Sequence, residues 1–231
     1  MRVAVAGGTG FIGRALCDAL AARGDRVILL TRDPAAAPAR WDGRVDAVAW
    51  DGKTTGEWAA SLDGADAVVN LAGENVAARR WTAEFKLALT RSRVDSTRAL
   101  VAAISQAPRP PRALLSASAV GYYGVAPEGE TPESAPRGRD FLAALCGQWE
   151  REALAAEPLG LRVILPRIGA VLAGDGGALA KMAPLFRLFV GGPVGSGRQP
   201  FPWIHRDDAV GAMLFLLGRQ DLSGPVNLTA P

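Results

Sequence analysis

Arg2-Val3-Ala4-Val5-Ala6-Gly7-Gly8-Thr9-Gly10-Phe11-Ile12-Gly13 opens the chain and decides its fold. Arg2–Ala6 is a short apolar run without polar alternation, the pattern of a strand buried on both faces. The glycines at 7, 10 and 13 follow at once. Ile12, Leu16 and Leu20 then recur at spacing four, which marks a helix, and Gly24 is placed to end it. Strand, glycine turn and helix in that order form a phosphate cradle. Gly7 permits the tight turn, Gly10 lets the backbone approach a pyrophosphate, and Gly13 lets helix and strand pack closely. The helix N-terminus offers free N–H groups and partial positive charge. Thr9, Phe11 and Ile12 complete this candidate cofactor-binding turn.

The same rhythm continues outward. Val27–Leu30, Val45–Trp50, Ala67–Leu71, Ala113–Ser116 and Leu161–Leu165 read as strands. Thr82 caps a long helix through Ser105, and Asp140 caps one carrying Phe141, Leu145 and Trp149. Strand alternating with helix predicts an α/β, doubly wound parallel sheet of Rossmann type. From Gly174 to 204, glycine and proline punctuate short pieces, read as a loop-rich substrate cap. The chain then returns to the main domain of residues 1–173 through a helix opened by Asp207 and Asp208 and a strand at Val226–Leu228.

The end of the second strand bears on which dinucleotide fits. It reads Thr31-Arg32-Asp33. Thr31 stands where an acidic residue would hold the adenosine ribose, and the Arg32 guanidinium suits a 2′-phosphate. Asp33 lies 20 residues past Gly13, so an NAD reading survives beside the favoured NADP reading.

Composition bounds the rest. The 231 residues are 49% apolar and 21% charged, which excludes disorder and a disulfide scaffold. The net charge of +3 comes without any run of five basic residues, so nucleic acid is not an expected partner. A lone histidine and two distant cysteines, Cys17 and Cys146, argue against a metal site. No apolar run approaches a membrane span, and no signal peptide is seen, so a cytoplasmic location is expected.

Gly7-Gly8-Thr9-Gly10-Phe11-Ile12-Gly13, Asn70-Leu71-Ala72-Gly73, Ser116-Ala117-Ser118 with Tyr122-Tyr123-Gly124, and Trp203-Ile204-His205-Arg206-Asp207-Asp208 together resemble an extended, atypical short-chain dehydrogenase/reductase. Arg80-Trp81, Ser92-Arg93 and Pro202-Trp203-Ile204-His205 are similar to its YfcH-like epimerase subfamily. The resemblance spans the chain and implies a dinucleotide cofactor, a small-molecule substrate and a homodimer. It also implies a further C-terminal segment beyond residue 231. Asp51, Leu71, Ala72, Gly73, Ser116 and Arg167 join Thr31 and Arg32 as expected cofactor contacts.

One departure matters. The family couples a Ser to Tyr-x-x-x-Lys on the next helix. Here that helix reads Asp140-Phe141-Leu142-Ala143-Ala144-Leu145-Cys146-Gly147-Gln148-Trp149-Glu150, with neither Tyr nor Lys. Ser118, Tyr122, Tyr123 and His205 are therefore the catalytic candidates. Each has a plainer reading as a strand-end residue, pocket wall or loop anchor. Arg79, Arg80, Arg91 and Arg93 are candidate anion contacts or solvated charges. Two functions stay open: an NADP-dependent oxidoreductase or epimerase acting on an unidentified small polar substrate, nucleotide-linked or free, and a non-catalytic NADP-binding sensor or scaffold.

Overall fold

The computed structural model describes residues 1–36, 41, 43–125, 129–193 and 195–230. Strand β1 (Arg2–Ala6) leads into helix α1 (Phe11–Ala22) and strand β2 (Arg26–Thr31). Then come β3 (Val45–Ala49), β4 (Ala67–Asn70) and the long helix α2 (Ala83–Gln106). β5 (Ala113–Ser116), the two-residue β6 (Ser118–Ala119), α3 (Phe141–Leu154) and β7 (Arg162–Ile168) follow. The sheet is parallel throughout, ordered β10-β7-β5-β4-β1-β2-β3, with β10 (Gly224–Leu228) at one edge and β6 prolonging β5 along β7. The strand order reverses between β1 and β4, where ligands bind in such sheets.

Period-two geometry explains the two cores. Val3 and Val5 of β1 and Val27 and Leu29 of β2 face α1 and the late helix α5 (Arg206–Gly218), meeting Leu16, Leu20 and Met213. Ala4, Ala6, Ile28 and Leu30 face the other way, toward Leu100 and Ile104 of α2. Both faces are covered, so these strands carry no polar alternation. Thr82 Oγ1 accepts from the Phe85 amide at 3.2 Å, and Asp140 Oδ1 from that of Ala143 at 2.9 Å, so both expected caps are in place.

The segment after residue 174 is more than loop. It contains helix α4 (Gly177–Arg187), preceded by β8 (Ala170–Ala173), which pairs in parallel with β9 (Trp203–His205). The sequence hides α4 because it starts on Gly176 and Gly177 and carries Pro184 inside. Its Leu185 and Phe186 are exposed, so no buried stripe announces it. Among the described residues no helix is long and apolar enough to cross a membrane.

Candidate dinucleotide site

A cavity of about 730 Å³ opens at the C-terminal ends of β1, β2 and β4, walled by α2. Its floor is the glycine turn. The Gly10 amide donates to Gly7 O at 3.0 Å, closing the turn, and Gly10 caps α1 with no side-chain acceptor on the first amides. Those N–H groups are free for an anion. Two glycines are obligatory. Gly7 has φ +77°, and a Cβ there would lie 2.5 Å from the Leu71 carbonyl. A Cβ on Gly13 would lie 2.1 Å from Gly7 O and 2.6 Å from Gly8 Cα. Helix, turn and the end of β4 are thus in backbone contact.

Gly7, Thr9, Gly10, Thr31 and Arg32 line this cavity, as do Asp51, Leu71, Ala72 and Gly73. Gly13, just behind, packs α1 onto the turn, with Ile12 beside it in the first turn of α1. The Phe11 ring points elsewhere: it lies against Gly176 and Gly177, with the Arg206 guanidinium 5.1 Å from its centre. Buried Asn70 orders the β4 end. Its Nδ2 donates to Thr97 Oγ1 at 2.8 Å and Ser116 Oγ at 3.3 Å, and its Oδ1 accepts from the Ala72 amide at 3.1 Å. Ser116 is therefore a buried strut below the rim.

Asp51 also serves locally. Its carboxylate accepts from the Lys53 amide (2.8 Å), the Thr54 amide (2.9 Å) and Thr54 Oγ1 (2.7 Å). The amides of Thr54 and Lys53 hold its pKa below the ordinary carboxylate value. Lys53, which sequence reasoning passed over, lines the same cavity as Arg32. Its signal was its place: a cation just past a parallel strand next to β2 lies on the same rim.

Of the four arginines considered for an anion, Arg91 lines the cavity. Arg93 is turned inward: it donates to Glu74 O at 2.9 Å and lies 5.3 Å from the Trp149 ring centre, where burial pushes its pKa down. Arg79 is exposed 4.0 Å from Glu74 Oε1, and Arg80 is exposed too.

A second cluster lies where the sequence placed the chemistry. Ser118 Oγ donates to Glu150 Oε1 at 2.6 Å. Arg167 binds both Glu150 oxygens, at 2.9 and 3.0 Å, and also donates to the Tyr123 hydroxyl and Glu133 O, each at 2.9 Å. Tyr123 passes its proton donation on to Asn227 Oδ1 at 2.6 Å. The guanidinium lies over the Tyr122 ring, 3.5 Å from Cζ to its centre. Ser118, Glu150 and Arg167 are all nearly sealed from solvent. Burial opposes the charge on Arg167, but hydrogen bonds to Glu150 and Tyr123 outweigh it and hold the group more firmly protonated than usual. Arg167 is not among the cavity-lining residues; its guanidinium is spent inside this cluster. Glu150, unmarked by the sequence reading, is its centre.

His205 is at neither place. Its Nδ1 accepts from the Asp207 amide at 3.3 Å, capping α5 from an exposed position. Asp207 and Asp208 occupy the first turn, where their charge suits the helix dipole. Among the described residues no group of three or more His, Cys, Asp or Glu side chains could hold a metal ion.

Compared with known proteins, residues 3–228 match the model of the NAD dependent epimerase/dehydratase family. The chain belongs to that family. A chloroplastic epimerase family protein SDR39U1 homolog of Arabidopsis thaliana is 43% identical over 238 residues, covering 100% of this chain and 66% of the relative. The chain thus spans just under two thirds of that epimerase/dehydratase relative. The crystal structure of human epimerase family protein SDR39U1 with NADPH superposes with a TM-score of 0.87 at 41% identity, over 100% of this chain and 75% of that one. A nucleoside-diphosphate sugar epimerase from Corynebacterium glutamicum superposes at 0.82 and 35% identity, over 100% of this chain and 46% of that one. As in other epimerase/dehydratase members, the sheet is Rossmann-type.

Proposed function

We propose that this chain binds NADPH and acts as an NADP-dependent oxidoreductase or epimerase on a small polar, nucleotide-linked substrate. The observation that carries the reading is the cavity at the strand-order reversal. Its floor is a glycine turn in which Gly7 and Gly13 tolerate no Cβ, and its far end carries Thr31 where an NAD site would carry an acid, followed by Arg32. The residues present fit the cofactor. The amides at the start of α1 hold the pyrophosphate, Arg32 takes the 2′-phosphate, and Leu71, Ala72 and Gly73 flank the nucleotide with small side chains. When bound, the nicotinamide supplies the hydride acceptor or donor. The human NADPH complex supports the cofactor, and the bacterial sugar-nucleotide relative supports the substrate class.

Proton handling falls to Ser118, matched to the family's Ser, and to Tyr123, which shares its Glu150–Arg167 cluster. A substrate carbonyl competes with Glu150 for the Ser118 hydroxyl, so this role requires the 2.6 Å bond to open. That closed bond favours a second reading, cofactor binding without turnover. Fluorescence titration with NADPH and NADH tests the first claim: NADPH binds more tightly, and equal or reversed affinities overturn it. A panel of nucleotide sugars with NADP⁺ or NADPH then separates the readings. Oxidation or epimerisation of one member supports the enzyme; binding with no conversion supports the second reading.

A further inference from the structure

The β2 and β3 ends of the cavity hold a second cation on a built support. Trp50 and Trp58 are buried, with ring centres 4.9 Å apart, and both indole N–H groups converge on one acceptor, the Thr54 carbonyl, at 3.0 and 2.9 Å. From its other side Thr54 donates through amide and hydroxyl to Asp51, which also takes the Lys53 amide. The Lys53 amide is therefore held by Asp51 and the next residue, Thr54, by the two tryptophans, while Lys53 and Arg32 both line the cavity. Asp51 keeps its charge, but all three hydrogen bonds it accepts come from its own turn. Thr31 Oγ1 is likewise tied up, accepting from the Asp33 amide at 3.2 Å. Both groups already have partners within their own turns. Two cations that reach one space from adjacent strand ends suit a doubly charged group better than a neutral diol.

We propose that Lys53 is a second ligand of the adenosine 2′-phosphate and a determinant of NADP over NAD, with the Asp51–Thr54 turn and its two tryptophans as the positioning device. The inference rests on the NADPH reading above. A lysine held by its backbone loses less freedom on engaging the phosphate than one on a free loop, so its contact is less offset by ordering.

Titration of Lys53→Met, Lys53→Arg and Arg32→Met with NADPH, NADH and 2′,5′-ADP tests it. Lys53→Met keeps the apolar stem and removes the charge. It should weaken NADPH and 2′,5′-ADP roughly tenfold, the scale of one charge-assisted contact, while NADH stays within about twofold. Lys53→Arg should retain most of the affinity, and wild-type preference for NADPH should shrink as salt rises. Wild-type affinity for NADPH in Lys53→Met, alongside a loss in Arg32→Met, overturns the role of Lys53 and leaves the NADPH reading intact. A wild-type chain with no preference for NADPH over NADH overturns both.

Discussion

Replacing Arg167 by Met tests the division between the cavity and the buried cluster. Arg167 is 3% exposed and Glu150 6%. The guanidinium makes both hydrogen bonds to Glu150 and donates to Tyr123 and Glu133. In Arg167→Met the Glu150 carboxylate keeps only the Ser118 hydroxyl, and Glu133 O loses its Arg167 donor. Removing one partner of a buried ion pair costs about 3–5 kcal/mol, because the other charge stays desolvated. Domains of this kind are stable by about 5–15 kcal/mol, so the loss is a large share of the whole. At about 2–4 °C per kcal/mol for a chain this size, Tm falls by roughly 6–20 °C. Thermal unfolding followed by circular dichroism measures the fall. The double variant Arg167→Met with Glu150→Met removes both charges and should recover much of it. NADPH affinity, titrated well below the melting range, should stay within about twofold of wild type. A Tm within 1 °C of wild type, by the same scale, would refute the burial argument. A folded Arg167→Met with a tenfold weaker hold on NADPH would return Arg167 to the cofactor site.

Three further outcomes are expected. Gly13→Ala drives a Cβ into Gly7 O and Gly8, so it should abolish NADPH binding and cost about 1–3 kcal/mol; wild-type binding would show that the turn does not seat the pyrophosphate. Asp25, 5% exposed, is opposed by burial, yet the N-terminal ammonium and Arg23 hold its carboxyl below the ordinary 3.8. Its contribution is full above that pH and lost as pH falls through the lower folded value, so urea unfolding should show a gap between wild type and Asp25→Asn at pH 6 that closes toward pH 3; a gap equal at both would refute the pairing. Burial pushes the thiols of Cys17 up to about 12 and of Cys146 up to about 11, so neither should react with a thiol reagent at pH 8 until denaturant is added. Rapid native labelling would contradict their placement.

The sequence carried the sheet because every strand of its centre is buried on both sides and has no choice but to read as an apolar run. Arg2–Ala6 is the plainest case, and Thr82 and Asp140 announced their helices because a cap needs a side-chain oxygen. The glycine turn was legible for the same local reason: the spacing is dictated by contacts among residues 7, 8 and 13. What stayed hidden depends on distant partners. Ser118, Arg167 and Glu150 are separated by 17 to 49 positions, and nothing near Glu150 shows that a guanidinium will bury it. His205 was read as a candidate acid or base, whereas its Nδ1 caps α5 in place of the aspartates that follow. Asp51 lines the cavity, but its carboxylate turns back on its own loop. Lys53, two residues on, lines the same cavity.

The register of β1 against β4, with Ala6 opposite Asn70, has a consequence for how the cavity comes into being. The two halves of its floor, Gly7 and Leu71, lie in backbone contact although more than sixty residues of chain run between them. Closing so long a segment is slow compared with pairing neighbours, and β2, α1 and β3 are synthesised well before β4. A nascent chain therefore owns the glycine turn long before it owns a pocket. A cofactor that needs both Gly7 and Leu71 in place binds only once β4 has paired with β1, and it stabilises that paired state by mass action.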